Sequence, residues 1–436
     1  MMIKILKAGS CALILLSSNA FSEDLLGVYQ KAVLADPTLQ LAKLKIQVGD
    51  AQQGQAGGAL LPQINASGGI SKNYRQFESK TIDNRNYEGM NYNISVTQSL
   101  MDVQKYWNWK KHQKITEQYQ AEGLSAEQTL LFDVVDRYFS VLEEADNLLL
   151  VEKEKIATEK KVEQLHKQYA KRVIKITDVL DMEAELDGIK AHEIEVQTNF
   201  SLARESLFEL TGQPLDDLKP LSTEIDYQPL TGNIDTWIEK AKALNPNISA
   251  KKKAIAVADD FVAEQKSRHL PTVDFRFNHY MTDTGFQGTQ QPKSDTQVIG
   301  LNVTLPIFSG GTTYYQAKEA SYQMEMAKQE HIGILRETIK ETRDAYLTTN
   351  ASYRKIKSSL KFVDSARKSR DAMVKGFKHG VNVISDVINS ETRVFTANRD
   401  LLQAKYAYIK HKMRFKRVTG DISYASLEEI NSWLQK

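Results

Sequence analysis

The chain is 436 residues long, with 57 Lys and Arg against 55 Asp and Glu and a single cysteine, Cys11. This near-balance, with Lys251-Lys252-Lys253 as the only run of three basic residues, excludes nucleic-acid binding as a main role, and one cysteine excludes a disulfide framework. Past the N-terminus no apolar run is long enough to cross a bilayer as a helix, so any contact with a membrane core falls to strands.

The first element is a leader. Lys4 and Lys7 form a basic region, Ala8 to Ser18 an apolar stretch about half the length of a spanning helix, and Ala20-Phe21-Ser22 a small-x-small site. Residues 1–22 therefore read as a signal peptide cut before Glu23, which would also remove Cys11 and leave 55 basic against 55 acidic side chains. Next come helices punctuated by Asp36-Pro37 and ending at Leu61-Pro62. Gln63 to Phe77 and Gly89 to Met101 are poor in Lys and Glu and show a period of two, with Tyr92, Ile94 and Val96 alternating with Asn91, Asn93, Ser95 and Thr97. That alternation predicts a β-hairpin over about 63–101.

No proline lies between Pro62 and Pro214, and from Val103 to Gly212 the composition is rich in Glu, Lys, Gln, Ala and Leu. This predicts a very long helical hairpin over about 103–212. Val135, Leu142, Leu149 and Ile156 recur every seven residues beside a second seam of Val134, Val141, Leu148 and Val162 interrupted by Lys155, a pattern shared by coiled coils and ordinary bundles. The hairpin turns between Tyr169 and Thr177, with Thr177 read as an N-cap and Asp178 in the first turn behind it. A first helix of roughly 65 residues extends about 100 Å.

After a linker at about 221–235 the sequence repeats itself. Asn245-Pro246 answers Asp36-Pro37 and Leu270-Pro271 answers Leu61-Pro62, both 209 residues on. Ser385-Asp386-Val387 follows Thr177-Asp178-Val179 by 208, as Thr419-Gly420 follows Thr211-Gly212. The second copy, 236–436 against 23–220, predicts a hairpin over about 272–308, with strands Thr272 to Thr282 and Thr296 to Phe308. Its helical hairpin covers about 312–420, with Ile332, Ile339, Tyr346, Tyr353 and Leu360 at seven-residue spacing, and turns between Phe377 and Ser385. Gly380 supplies a stop and Ser385 reads as an N-cap. A C-terminal equatorial segment follows.

The class is therefore mainly α with a β part, one unit duplicated in tandem. Strands of about ten residues with one apolar face suit a membrane barrel or a half-buried soluble sheet. Four strands cannot close a barrel, and an open edge cannot sit in lipid, so a membrane reading requires several chains.

These residues resemble the TolC-type outer-membrane channel proteins of export and efflux systems. The resemblance runs from Tyr29-Gln30-Lys31-Ala32 and Asp36-Pro37 through Leu60-Leu61-Pro62-Gln63 and Val303-Thr304-Leu305-Pro306-Ile307-Phe308. It continues through Gly380-Val381-Asn382-Val383-Ile384-Ser385-Asp386-Val387 to Arg417-Val418-Thr419-Gly420. It implies a homotrimer whose four strands per chain complete a twelve-stranded barrel in outer-membrane lipid of a Gram-negative bacterium. It also implies an α-barrel tunnel through the periplasm, closed at the helical turns. The implied partners are a periplasmic adaptor (membrane fusion) protein and an inner-membrane ABC or proton-driven transporter, in type I protein secretion or multidrug efflux.

Two departures from the family pattern bear on the gate. Asn382 stands where well-known members carry an arginine, and Asn389 stands one turn past Asp386 where a second acid can occur. Ser99 replaces a usual proline at the first strand-to-helix junction, and Arg172 stands where the second copy has Gly380. The predicted pore constriction comprises Asp178, Asp386, Asn382, Asn389, Thr177 and Ser385. The predicted adaptor-docking tips comprise Tyr169, Arg172, Lys175, Phe377 and Gly380. No GxSxG, phosphate-binding glycine loop or His-x-x-x-His ligand spacing occurs, so no catalytic residue, metal or cofactor is predicted and the chain reads as a non-enzyme. The alternative is a periplasmic coiled-coil scaffold or adaptor without a barrel.

Overall fold

The computed structural model describes residues 22–76, 78, 85–215, 217–283 and 293–435. The leader lies outside them except for Ser22. In chain order the elements are α1 (Leu25–Ala35), α2 (Pro37–Gly58), β1 (Gln63–Arg75), β2 (Arg85–Met101), α3 (Val103–Ala170) and α4 (Ile176–Thr211). The second copy gives α5 (Ile234–Leu244), α6 (Pro246–Ser267), β3 (Thr272–Asp283), β4 (Ser294–Thr304), α7 (Thr312–Lys378), α8 (Ile384–Val418) and α9 (Tyr424–Asn431).

The repeated Asx-Pro pairs are helix starts. The Leu39 backbone N–H donates to Asp36 Oδ2 at 2.7 Å, and the Asn247 N–H to Asn245 Oδ1 at 2.9 Å, with the proline next in line where no N–H is needed. Asp102 caps α3 in the same way through the Lys105 N–H at 3.0 Å. With no interior proline, α3 runs 68 residues and α7 67, each about 100 Å at 1.5 Å per residue. No helix among the described residues is long and apolar enough to cross a membrane, which says nothing of a β-barrel.

The strands form one antiparallel sheet in the order β1-β2-β3-β4, and β2 against β3 stitches the two copies together, with Val96 opposite Phe277. One face carries Ile64, Ile94, Val96, Phe275, Phe277, Ile299, Leu301 and Val303; the other carries Asn65, Asn91, Asn93, Ser95, Asn278 and Asn302. Among the described residues no helix packs on the apolar face, and Ile64, Ile299, Leu301 and Val303 are 66% to 71% exposed. Strand β4 stops at Thr304, four residues before the expected Phe308, because Pro306 has no N–H to give the ladder. Strand β2 begins four residues earlier than Gly89; its first residues are polar and show no alternation to read. At the bulge between Ser99 and Met101 the Ser99 hydroxyl donates to Asp274 Oδ1 across the strand pair at 3.0 Å, giving Ser99 a role that a proline could not fill.

Packing orders the helices into a wall. Toward the sheet the neighbours run α2-α3-α6-α7, and toward the far tips α4-α3-α8-α7. The seven-residue seams need correction. Val135 and Leu142 are buried, but Leu149 and Ile156 are each 48% exposed and Leu360 is 50% exposed. The seam of α7 keeps the seven-residue spacing but runs along the neighbouring positions, so the apolar heptad stands beside the contact and not in it. The buried stripe of α7 is instead Thr338, Thr342, Ala345, Thr349, Ser352, Ile356, Ser359, Val363 and Ala366. These mostly small residues let α8 approach closely, and hydroxyls that would be orphaned there donate to carbonyls four residues back, as Thr342 does to Thr338 at 2.7 Å and Thr349 to Ala345 at 2.7 Å.

The main core lies at the equator, where α1, α9 and the linker wrap the middle of α3 and the C-terminal parts of α4 and α8 around buried Tyr138, Phe139, Tyr406, Tyr408 and Met413. The chain ends are tied to the linker by bridges Glu23 with Leu218 and Leu221 with Leu434. Glu429 of α9 sits between Lys412 and Lys416 of α8. Burial pushes its carboxyl up, but the bonds from the two ammonium groups outweigh that and hold it below the ordinary 4.5. A depressed carboxylate contributes stability above the unfolded value that is lost as pH falls through the folded one. Acidification below about pH 4.5 should therefore loosen α9 and shift the fluorescence of Trp433, which stacks on Tyr408. Glu429→Gln should flatten that transition; an unaltered acid transition in the variant would assign it to other groups.

Candidate functional site

The two helical hairpins end side by side. Leu165, Val179 and Met182 from the first and Ile384 and Val387 from the second form one buried cluster, with Phe377, Met373 and Ile174 packed against it. The tips thus share a small core, far in sequence and apart from the equatorial one.

Each turn is a Schellman motif, repeated bond for bond at an offset of 208. In the first, the Val173 N–H donates to Gln168 O at 3.0 Å and the Arg172 N–H to Tyr169 O at 2.8 Å. In the second, the Val381 N–H donates to Gly376 O at 2.9 Å and the Gly380 N–H to Phe377 O at 3.0 Å. The pivot is left-handed in both, with φ +58° at Arg172 and +73° at Gly380; Arg172 is the only non-glycine residue with positive φ among those described. That conformation strains an L side chain by about 1 kcal/mol, so Arg172→Gly should slow amide hydrogen exchange across residues 169–176 about five-fold. Faster exchange would mean that the arginine makes contacts worth more than the strain.

The expected N-caps are displaced by two residues. Helix α4 starts at Ile176 with Lys175 as its cap residue, and α8 at Ile384 with Val383, so Thr177 and Ser385 lie inside the first turn. Neither Lys175 nor Val383 has a side chain able to accept a bond. The third residue of each helix reaches back instead: Asp178 Oδ2 accepts the Lys175 N–H and Asp386 Oδ2 the Val383 N–H, both at 3.2 Å. Asp178 and Asp386 are half-buried, and Asn389 is exposed one turn further on. The position matching Asn389 in the first copy is Asp181, an exposed acid that the sequence reading passed over although the 208-residue offset points to it.

Asn382 turns back on its own hairpin. Its Nδ2 donates to Met373 O at 3.4 Å and lies over Gly376, where a Cβ would come within 2.4 Å of it. It therefore plugs the second turn rather than reaching out as a long cation would. Around both turns apolar side chains stand in solvent, with Val173, Val381 and Val383 63% to 79% exposed; Tyr169, Ile176 and Leu180 are also exposed. Lys171, Arg172, Lys175 and Lys378 lie among them. Phe377, by contrast, packs into the shared cluster. Among the described residues no group of His, Cys, Asp or Glu is arranged to hold a metal ion.

A family model described as outer membrane efflux protein matches the chain twice, over residues 28–213 and 237–421, one match for each copy. The outer membrane protein TolC of Vibrio cholerae is 29% identical over 430 residues, covering 98% of this chain and 97% of that protein. The alkaline protease secretion protein AprF of Pseudomonas aeruginosa is 27% identical over 426 residues, covering 96% and 89%. Among solved structures, CusC superposes with a TM-score of 0.82 at 14% identity, covering 92% of each chain, and the Campylobacter jejuni CmeC outer membrane channel with 0.81 at 16%, covering 95% and 90%. At those identities the structures speak for the fold alone.

Proposed function

The chain belongs to the outer membrane efflux protein family, and from that premise we propose that three copies form a channel-tunnel across the outer membrane and the periplasm. The observation that carries this reading is that the protein is an unfinished wall. Its sheet ends in two unpaired strands, β1 and β4, and its helices end in α2 with α4 on one side and α7 on the other. Strand β1 follows α2 and β4 precedes α7, so the open edges of sheet and helices lie on the same two sides. Joining edge to edge in a rotational ring pairs every strand, as lipid requires, and continues the barrel into a helical tube. Four strands per chain give twelve in a trimer, with the apolar face outward and the asparagine-rich face lining water.

In this reading residues 1–22 are removed on export and the hairpin tips point into the periplasm. A periplasmic adaptor meets the exposed apolar and basic tip residues, and an inner-membrane transporter supplies the energy. The chain itself does no covalent chemistry and acts as a passive, gated conduit for secreted protein or small molecules. The detergent-purified protein should have the mass of three chains by light scattering and should open ion-conducting pores in planar bilayers. A monomer that retains its β-structure and conducts nothing would overturn the channel and favour a scaffold.

A further inference from the structure

The excess charge of the lower wall sits on its two edges, with opposite signs. Helix α4 carries nine acidic side chains against Lys190 and Arg204 only. The stretch of α7 from Arg343 to Lys378 carries ten basic against three acidic. The two helices between them are balanced, with five of each sign from Asp146 to Ala170 of α3 and three of each from Ile384 to Lys405 of α8. Ion pairs within the chain, such as Lys155 with Glu193 across α3 and α4, redistribute this charge without changing its sum. Asp181 and Glu205 on α4, and Arg343, Arg354, Lys355 and Lys361 on α7, are exposed with no ion-pair partner in the described chain.

We propose that these edges form an electrostatic seam between neighbouring copies, the acidic α4 of one chain lying against the basic lower half of α7 of the next. The proposal rests on the ring reading above and names the surface and the partner, a second copy of this chain. The arrangement selects direction. Two α4 edges or two α7 edges repel each other, which rules out a two-fold pairing, whereas head-to-tail contact puts opposite signs together at every interface. It also makes the lower tube the salt-sensitive part of the assembly. An exposed ion pair is screened over a Debye length of about 10 Å at 0.1 M salt and about 3 Å at 1 M, while paired strands in the membrane are indifferent to salt.

A carbodiimide, which joins a carboxylate directly to a touching lysine amine, tests this on trimers assembled from mixed light- and heavy-nitrogen chains. Peptides linking α4 carboxylates to α7 lysines at matching height above the tips, Glu195 to Lys361 and Glu205 to Lys355, should include hybrids with one light and one heavy half. Their yield should fall about three-fold or more between 0.1 M and 1 M salt on the unmodified protein, and similarly in Arg343→Glu with Arg354→Glu, which reverses charge but keeps both lysines. Trimers by mass whose α4 and α7 are never joined, or are joined with a yield indifferent to salt, would overturn the seam while leaving the channel standing. The absence of any oligomer would overturn both.

Discussion

Gly420→Ala should destabilise the protein by about 3 kcal/mol or more, while Gly212→Ala, its counterpart 208 residues earlier, should cost about 1 kcal/mol. Both glycines are left-handed, φ +72° and +66°, so the strain on an L side chain is the same. Their surroundings differ. A Cβ on Gly420 would lie 2.6 Å from both the carbonyl carbon and oxygen of Leu244 and 2.9 Å from the Asn245 nitrogen, all backbone atoms at the joint of α5 and α6. That joint cannot retreat, because Asn245 Nδ2 donates to Val418 O at 2.8 Å and Gln128 Nε2 donates to Gly420 O at 3.1 Å. A Cβ on Gly212 meets only the Ala35 methyl at 3.4 Å. Denaturant unfolding of the two variants in the same detergent measures the difference. Equal losses would mean that the backbone conformation alone sets the cost.

Asp386→Asn combined with Asp178→Asn should lower the cation preference of single channels in planar bilayers, with trimer mass and melting unchanged. Each aspartate already has a local duty, accepting the N–H of its cap residue, and a carboxylate in the first turn gains a few tenths to about 1 kcal/mol from the helix dipole. Asparagine keeps an oxygen at the same place and removes the charge, so the cap largely survives. In a trimer the two copies would bring up to six such carboxylates around one opening, and a ring of acids favours cations at close range. Exposed Asp181, not replaced in this variant, leaves part of the acidic field, so selectivity should fall rather than invert. Unchanged selectivity would leave both aspartates as helix caps.

What the sequence determined by itself is whatever is written in short-range signals. The Asp36-Pro37 and Asn245-Pro246 starts, the proline-free tracts that became α3 and α7, and the turns around Arg172 and Gly380 all depend on a few adjacent residues and their allowed dihedrals. The duplication made each of these readable twice. The alternation over Tyr92 to Thr97 likewise announced a strand with one apolar face, since side chains in a strand must point to alternate sides. The tertiary structure decided what depends on neighbours distant in sequence. It chose the Thr and Ser stripe of α7 over the apolar heptad, because close helix approach rewards small volume and local bonds absorb the hydroxyls. It moved the helix caps to Lys175 and Val383, because Asp178 and Asp386 could cap from inside the helix while Val179 and Val387 turned into the shared core. It also set α4 and α7 on opposite edges of the wall, which turned an overall charge balance into two surfaces of opposite sign; composition averages over that separation, and only packing reveals it.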